Sequence, residues 1–104
     1  MLPVELNGKR MQALVDSGSQ ANYLSARAVF LARLRPLRKE ESYPLHVANG
    51  QPMLGGNQIT HKVTGVTLSI QDHYKKLDLD VFRLATHNII LGLPWLQEHN
   101  PQIN

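Results

Sequence analysis

The sequence predicts a small, mostly β domain with one or two short helices. Runs of alternating apolar residues recur along the chain, clearly over 66–70 and 77–81, and turn residues separate them. One stretch after Ser25 has instead the composition of a short helix. Strands at this density with so few helices indicate a compact, mostly antiparallel β fold. A length of 104 residues predicts one domain, spanning 1–104.

The N-terminal residues predict a β-hairpin. Residues 2–6 alternate between apolar and other side chains, and Asn7-Gly8 is typical of a type I′ turn, in which both central residues have positive φ. The returning strand, 11–15, ends in consecutive apolar residues, which predicts that it enters the core. Polar residues follow at once, and a rigid strand that leads into polar groups is a common support for catalytic residues.

A helix is predicted over residues 26–34, with Ser25 as its N-cap and Pro36 as its stop. We expect its inner side to be formed by Val29, Leu31 and Ala32. From Tyr43 the pattern returns to strands. The remaining expected elements are a second hairpin with its tip at Asn49-Gly50, the strands at 66–70 and 77–81, an apolar strand at 89–91, and a short helix from Pro94.

Composition excludes several classes of protein. The chain has no cysteine, which excludes a disulfide framework and thiolate zinc sites and favours a reducing, cytoplasmic location. Its N-terminus lacks the apolar region of a secretory signal and no apolar run could span a bilayer, so no membrane partner is expected. The net charge is +3, but the basic stretch 27–39 has no interleaved aromatic pattern and runs into Glu40 and Glu41. A solvated helix face explains it better than nucleic-acid binding.

Other candidate sites are weaker. Asp78 and Asp80 share one strand face with Lys76, which predicts a solvated sheet face rather than an acid–base pair. The five histidines have no metal-ligand spacing, so we expect neither a metal nor another cofactor. The sequence contains no Gly-x-Ser-x-Gly motif, so nothing in it indicates a serine hydrolase. Trp95 is predicted to be a core residue of the last helix.

Three blocks of sequence carry a specific resemblance. They occur in a fixed order across nearly the whole chain and comprise residues 13–18 with 21–24, residues 47–51, and residues 89–96 with 99–101. Together they resemble the retropepsin-type aspartic proteases of Ty3/gypsy retrotransposons, a group that includes retroelement proteases domesticated by host genomes. Two positions depart from the common pattern of the family: Ser19 stands where many relatives have Ala, and Pro94 where many have Asp.

The resemblance implies a role for each matched position. Asp16 corresponds to the catalytic aspartate, Ser17 to the residue whose hydroxyl braces the two active-site loops against each other, and Gly18 to a glycine that lets the substrate backbone approach. The strand ending at Gly92 corresponds to the element behind the catalytic loop. The substrate-binding residues implied are the flap residues Val47, Ala48, Asn49 and Gly50, followed by Gln51 in the same block, and Ile90 in the substrate pocket.

The chain contains one Asp-Ser-Gly, since Asp72, Asp78 and Asp80 are followed by other residues. Acid proteolysis needs two carboxylates that share a proton, so the second must come from another copy of the chain. We therefore expect a retropepsin-like half-barrel that is completed as a two-fold homodimer.

The expected activity is that of an aspartic endopeptidase that cleaves extended polypeptides. The resemblance implies that the substrate is the retroelement's own Gag-Pol polyprotein, that the domain is excised from a longer polyprotein, and that it acts in the cytoplasm and within virus-like particles. Two alternatives stay open. One is a domesticated or catalytically silent module for dimerisation or peptide binding, and the other is a basic β domain that binds nucleic acid.

Overall fold

The structure is a computed structural model that describes residues 1–44, 58–82 and 87–103, with the backbone alone over 99–103. The described elements confirm a mostly β fold with two helices. They are β1 (Leu2–Leu6), β2 (Lys9–Val15), β3 (Tyr23–Ser25), α1 (Ala26–Leu31), β4 (Leu37–Pro44), β5 (Gln58–Ile70), β6 (His73–Phe82), β7 (Ile89–Leu91) and α2 (Leu93–Ile103).

The strands close into a barrel. They follow the order β1-β2-β7-β3-β6-β5-β4, and β1 also pairs with β5. The six strands from β1 to β5 in this spatial order therefore form a ring. The long strand β5 makes this closure possible because its first half pairs with β4 and Leu68 and Ser69 near its end pair with β1. β4 therefore lies outside the ring. The pairs β2–β7 and β3–β6 are parallel, and the other described pairs are antiparallel, which agrees with the mostly antiparallel sheet that the sequence predicts.

The barrel interior holds the main core. Leu6, Leu24, Leu68, Leu79 and Leu91, from five different strands, have exposed fractions of 2% or less and belong to one apolar cluster. This cluster also contains the inner residues of α1 and Trp95, which confirms the prediction for the tryptophan. A smaller apolar cluster, formed by Tyr23, Ile59, Phe82 and Ile90, is separate from it.

The N-terminal hairpin is confirmed. Asn7 and Gly8 have φ values of 47° and 84°, as a type I′ turn requires, and Leu6 pairs with Lys9 across it. A second tight turn joins β5 to β6, where Ile70 pairs with His73; of its two central residues only Gln71 has a positive φ, of 54°. The Asn7-Gly8 turn is determined locally, which explains why the sequence alone predicts it.

Helix α1 begins as predicted but ends earlier. Ser25 caps it by accepting a hydrogen bond from the Ala28 N–H at 3.0 Å. The helix ends at Leu31 rather than at residue 34, because Arg33 takes the left-handed conformation with φ 56° and the chain turns back. Leu31 is consequently 36% exposed, so its predicted place on the inner side is wrong.

Several strand bounds and one burial pattern differ from the prediction. β3 was not predicted as a strand, β4 begins at Leu37 rather than at Tyr43, and β5 begins at Gln58 rather than at residue 66. The first half of β4 is charged and has no alternating pattern that would predict a strand. Val15 is 39% exposed and does not enter the core, since it lies at the end of the barrel. The predicted second hairpin around Asn49-Gly50 lies outside the described residues; β4 and β5 flank that segment, with Pro44 paired to Gln58.

Candidate active site

The loop that follows β2 is fixed by the last strand of the barrel. β2 and β7 run parallel, with Val15 opposite Leu91. The Asp16 N–H donates to the Leu91 carbonyl oxygen at 3.0 Å, which extends this ladder by one bond, and the Ser19 N–H donates back to the Asp16 carbonyl at 3.1 Å. Asp16 is thus the first residue beyond the strand, and its backbone is held at both its N–H and its carbonyl.

Gly92 and Asn22 hold the other side of the loop. The Gly92 N–H donates to Oδ1 of the buried Asn22 at 2.9 Å, and the Leu93 N–H donates to the Ser19 carbonyl at 2.8 Å. A Cβ on Gly92 would lie 2.6 Å from the Ser19 carbonyl oxygen and would also strike the Ala21 carbonyl oxygen. Only glycine lets these backbones approach so closely. The predicted packing of the segment 89–92 behind the loop is therefore what the structure shows.

The Asp16 carboxyl group is partly exposed at the centre of this loop. Its Oδ1 accepts a hydrogen bond from the Gly18 N–H at 2.9 Å, and its Oδ2 lies 3.4 Å from the Ser19 hydroxyl, at the long limit for such a bond. Neither of the ion pairs among the described side chains involves Asp16. The carboxylate is oriented by backbone geometry and keeps capacity to accept further hydrogen bonds.

The other two residues of the triplet are exposed. Within the described part of the chain, the Ser17 hydroxyl makes no hydrogen bond, so the bracing that the resemblance implies for it stays a prediction. Gly18 contributes its N–H to Asp16, and its open position is compatible with an approaching backbone. The loop thus presents one carboxylate on the surface of one chain.

The predicted substrate-binding residues fall into two groups. Val47, Ala48, Asn49 and Gly50 lie outside the described residues, as does Gln51. Ile90 is described and is only 6% exposed, packed in the smaller apolar cluster. Tyr23 of the same cluster lies edge-on to Phe82, with 6.0 Å between the ring centroids. The place of Ile90 in a substrate pocket stays a prediction.

A polar cluster that the sequence did not reveal lies next to this apolar cluster. Asp80 of β6 forms an ion pair with Lys39, with 3.0 Å between Oδ1 and Nζ, and its Oδ2 accepts a hydrogen bond from the Tyr43 hydroxyl. The Tyr43 hydroxyl also lies 3.5 Å from the Tyr23 hydroxyl, and the Lys39 ammonium lies 5.5 Å from the centre of the Tyr43 ring. We call these four side chains the tyrosine–aspartate cluster.

Burial changes the acidity of both tyrosines in this cluster. Desolvation raises the pKa of Tyr43 far above its ordinary value, and the hydrogen bond that it donates to the Asp80 carboxylate raises the pKa further. Desolvation is also the main cause that raises the pKa of Tyr23, and the hydrogen bond with Tyr43 opposes it. Both phenols therefore keep their protons at neutral pH.

The prediction of a solvated sheet face is wrong for Asp80 and right for its neighbours. Asp80 has a side-chain exposure of 14%, whereas Asp78 and Lys76 are exposed. The Asp80 N–H also donates to the Asn22 carbonyl at 2.9 Å, so that one residue, Asn22, connects the tyrosine–aspartate cluster to the support of the Asp16 loop. Lys39 and Tyr43 lie four positions apart on β4, and this even spacing is the sequence signal for the cluster. The signal becomes informative only when β4 is recognised as a strand.

The described parts of the chain contain neither a metal-binding cluster nor a membrane-spanning helix. No group of three His, Asp or Glu side chains there could hold a metal ion. Neither helix in those parts is long and apolar enough to cross a bilayer.

Comparisons with known proteins agree with this fold. A family model described as the PEG10/RTL1 protease domain matches residues 12–104. Among solved structures, the retroviral protease-like domain of Ddi1 from Leishmania major has a TM-score of 0.63 at 20% identity, over 95% of this chain and 71% of that one. The EIAV protease in complex with the inhibitor HBY-793 has a TM-score of 0.62 at 21% identity, over 94% of this chain and 85% of that one. These similarities show the fold.

Proposed function

Because this chain belongs to the PEG10/RTL1 protease domain family, we propose that it is an aspartic endopeptidase that works as a homodimer. The observation that carries the proposal is the Asp16 loop. It presents a partly exposed carboxylate that has no counter-ion among the described side chains, and it is held by the Leu91 carbonyl on one side and by Gly92 and Asn22 on the other. Such preorganisation is what a catalytic carboxylate needs and what a simple solvent turn does not.

Half of the required chemistry is present in one chain. Two carboxylates a few ångströms apart cannot both ionise easily, so a pair shares one proton. The ionised member removes a proton from a bound water, which attacks the scissile carbonyl, while the protonated member donates to the carbonyl oxygen. We assign these two roles to Asp16 of one chain and to Asp16 of a second, and the pair titrates as a unit.

The surroundings of the loop support an approach of two chains. Val15 and Leu93, which flank the loop on β2 and α2, are 39% and 41% exposed. Exposed apolar side chains beside an incomplete site are suited to burial against a symmetric copy, since a two-fold axis brings the same residues together from both chains. The Ser17 hydroxyl, which makes no hydrogen bond to the described residues, is available to brace the opposite loop in such a dimer.

The proposed substrate is an extended polypeptide that pairs its backbone as an added strand. Val47, Ala48, Asn49 and Gly50 are assigned to flaps that cover it, and Ile90, with the apolar cluster around it, to a pocket that favours apolar side chains near the cut. The family resemblance supports a retroelement Gag-Pol polyprotein as the substrate, and with it a cytoplasmic location that includes virus-like particles.

A cleavage assay tests the proposal. Wild-type protein and Asp16→Asn are incubated with a panel of apolar-rich peptides at several pH values, with and without a transition-state-mimicking aspartic protease inhibitor. We expect cleavage by the wild type only, loss of cleavage with the inhibitor, and a rate that rises with the square of the protein concentration where the dimer is weak. Cleavage by pure Asp16→Asn would refute the proposal.

A second candidate function is a catalytically silent module that dimerises or binds peptides. One observation favours it: the Asp16 carboxylate already accepts the Gly18 N–H, a contact that would retain the aspartate as a turn residue without turnover. A dimer that binds peptides but cuts none of them between acidic and neutral pH would select this alternative.

A further inference from the structure

The outer surface of α1 and its exit towards β4 combines exposed apolar and cationic side chains. Phe30 is 80% exposed, the largest exposed fraction among the described large apolar residues, and Leu31 and Leu37 are 36% and 47% exposed. Arg27 precedes Phe30 by three positions and Leu31 by four, so that all three lie on one face of the helix. We call the surface formed by Arg27, Phe30, Leu31, Arg33, Arg35 and Leu37 the α1 patch.

The fold does not require these side chains. The inner residues of α1, Ala28 and Val29, are buried in the core, and Ser25 caps the helix. Phe30 gains no burial and is only a moderate helix former. Isolated exposed apolar residues are ordinary, but here three large ones occur within residues 30–37, interspersed with exposed arginines.

The charge of the α1 patch is unbalanced. The patch contains three arginines and no acidic residue, and the nearest acidic residues in the following sequence are Glu40 and Glu41. The ion pairs found among the described side chains join Lys39 to Asp80 and Lys75 to Glu98, so none of these arginines is neutralised there. Arginine forms paired hydrogen bonds with carboxylates, and a partner with acidic side chains would complement this field. A second copy of the same patch would be repelled by it.

The apolar residues of the α1 patch indicate which class of anionic partner fits it. A nucleic acid would offer phosphates to the arginines and base faces to Phe30, but nothing that matches Leu31 and Leu37. Protein interfaces are enriched in aromatic residues and arginine, and their energetic centres are apolar side chains surrounded by a polar rim. The composition of the patch therefore favours a protein segment.

We propose that the α1 patch docks an acidic protein segment that presents a large apolar side chain between its carboxylates. The apolar side chain packs against Phe30, Leu31 and Leu37, and the carboxylates bind the surrounding arginines. This inference does not depend on catalysis, because the patch shares no residue with the Asp16 loop.

The experiment measures peptide binding by fluorescence anisotropy, with Asp16→Asn as the background so that no probe is cleaved. The probe is a labelled peptide that alternates glutamates with leucine and tryptophan. Its comparators are the same peptide with serine at the apolar positions and a single-stranded oligonucleotide of equal charge. We expect the acidic, apolar peptide to bind best and to be insensitive to an active-site inhibitor.

Matched variants identify the surface. Phe30→Ser should weaken binding of the peptide by about tenfold or more, whereas Tyr74→Ser, which alters an aromatic residue that is 76% exposed on β6, should not. The double change Arg27→Ala with Arg35→Ala should weaken binding and reduce its salt dependence. The control double change Lys9→Ala with Arg10→Ala, in the N-terminal hairpin, removes the same charge and should weaken peptide binding less. Thermal unfolding checks that each variant keeps its fold.

Several outcomes would overturn the proposal. These are absence of binding, equal binding of the serine peptide, equal effects of the patch variants and their controls, or displacement of the peptide by the inhibitor. Stronger binding of the oligonucleotide that depends on Phe30 would assign the patch to nucleic acid instead. Because the assay uses a variant without the proposed catalytic group, a negative result here leaves the proposed protease function untouched.

Discussion

Two aspartates in this barrel are used in opposite ways. Asp16 is partly exposed, has no cationic partner among the described side chains, and is oriented by the Gly18 N–H. Asp80 is more deeply placed, with its two carboxylate oxygens occupied by Lys39 and Tyr43. Asn22 contacts the surroundings of both, through its side chain towards Gly92 and through its carbonyl towards Asp80.

The difference separates a carboxylate available for chemistry from one that holds structure. A carboxylate saturated by a lysine and a phenol has little capacity left for a substrate or a second carboxylate, and removing it leaves its partners unsatisfied. A carboxylate held mainly by the backbone can be changed with little loss of stability. The comparison therefore predicts that activity depends on Asp16 and stability on Asp80.

The largest effect is expected from Asp16→Asn. Peptide cleavage should fall by a factor on the order of 10²–10⁴, because the amide cannot take part in a shared-proton pair. The free energy of unfolding, measured with urea, should change by less than about 0.5 kcal/mol. A large loss of stability in this variant would show that Asp16 also has a structural role and would break the comparison.

Gly92→Ala should disturb the support of the Asp16 loop. The new methyl group would collide with the backbone carbonyls of Ser19 and Ala21, which cannot rotate away as a side chain could. We expect a loss of about 2–3 kcal/mol in the free energy of unfolding together with loss of cleavage. Gly65→Ala is the matched control, since its Cβ would meet no atom within 4 Å and only its positive φ of 62° opposes the change.

Asp80→Asn should reverse the pattern of Asp16→Asn. It leaves the Lys39 ammonium without its counter-ion and weakens the acceptor of the Tyr43 hydroxyl, so the free energy of unfolding should fall by about 1–3 kcal/mol. Asp78→Asn is the control on the same strand, because Asp78 is exposed and, among the described residues, accepts only the Gly65 N–H. Equal effects of the two changes in urea unfolding would contradict the assignment of Asp80 to structure.

Alkaline pH should weaken the tyrosine–aspartate cluster. Burial and hydrogen bonding raise the pKa of Tyr43 in the folded state above its unfolded value of 10.0, and burial raises that of Tyr23. The folded chain then holds protons that the unfolded chain releases, so stability is fully present below pH 10 and falls as the pH rises above it. Unfolding curves of Tyr43→Phe should show a shallower decline than those of the wild type. An identical decline would show that Tyr43 is not the titrating group.

The smallest effect is expected from Ser19→Ala, which introduces the residue that many retropepsins have after the triplet. The Ser19 hydroxyl lies 3.4 Å from Asp16 Oδ2, too far for a strong hydrogen bond. Thermal unfolding should change by the equivalent of less than about 0.5 kcal/mol. A larger loss would mean that side-chain contacts, and not only the backbone, orient the carboxylate.

The sequence predicted the features that depend on neighbouring residues or on an ordered set of motifs. Asn7-Gly8 determines its hairpin locally, and the three motif blocks identify the family that the family model confirms. The tyrosine–aspartate cluster was not predicted because the partners of Asp80 lie 37 and 41 positions away, on a strand whose charged sequence has no strand pattern. The early end of α1 was not predicted because Arg33 adopts a backbone conformation more often taken by glycine or asparagine.

The parallel pairing of β2 with β7 has a consequence for the time at which the Asp16 loop can form. The Asp16 loop obtains its supports from Leu91, Gly92 and Leu93, and the bond between Asn22 and Gly92 spans 70 positions of the chain. A ribosome delivers Asp16 long before these residues, and contacts of such separation close late in folding. A nascent chain that still lacks β7 therefore carries the complete Asp-Ser-Gly triplet without the contacts that organise its loop, so that the loop can form only when synthesis of the domain is nearly finished.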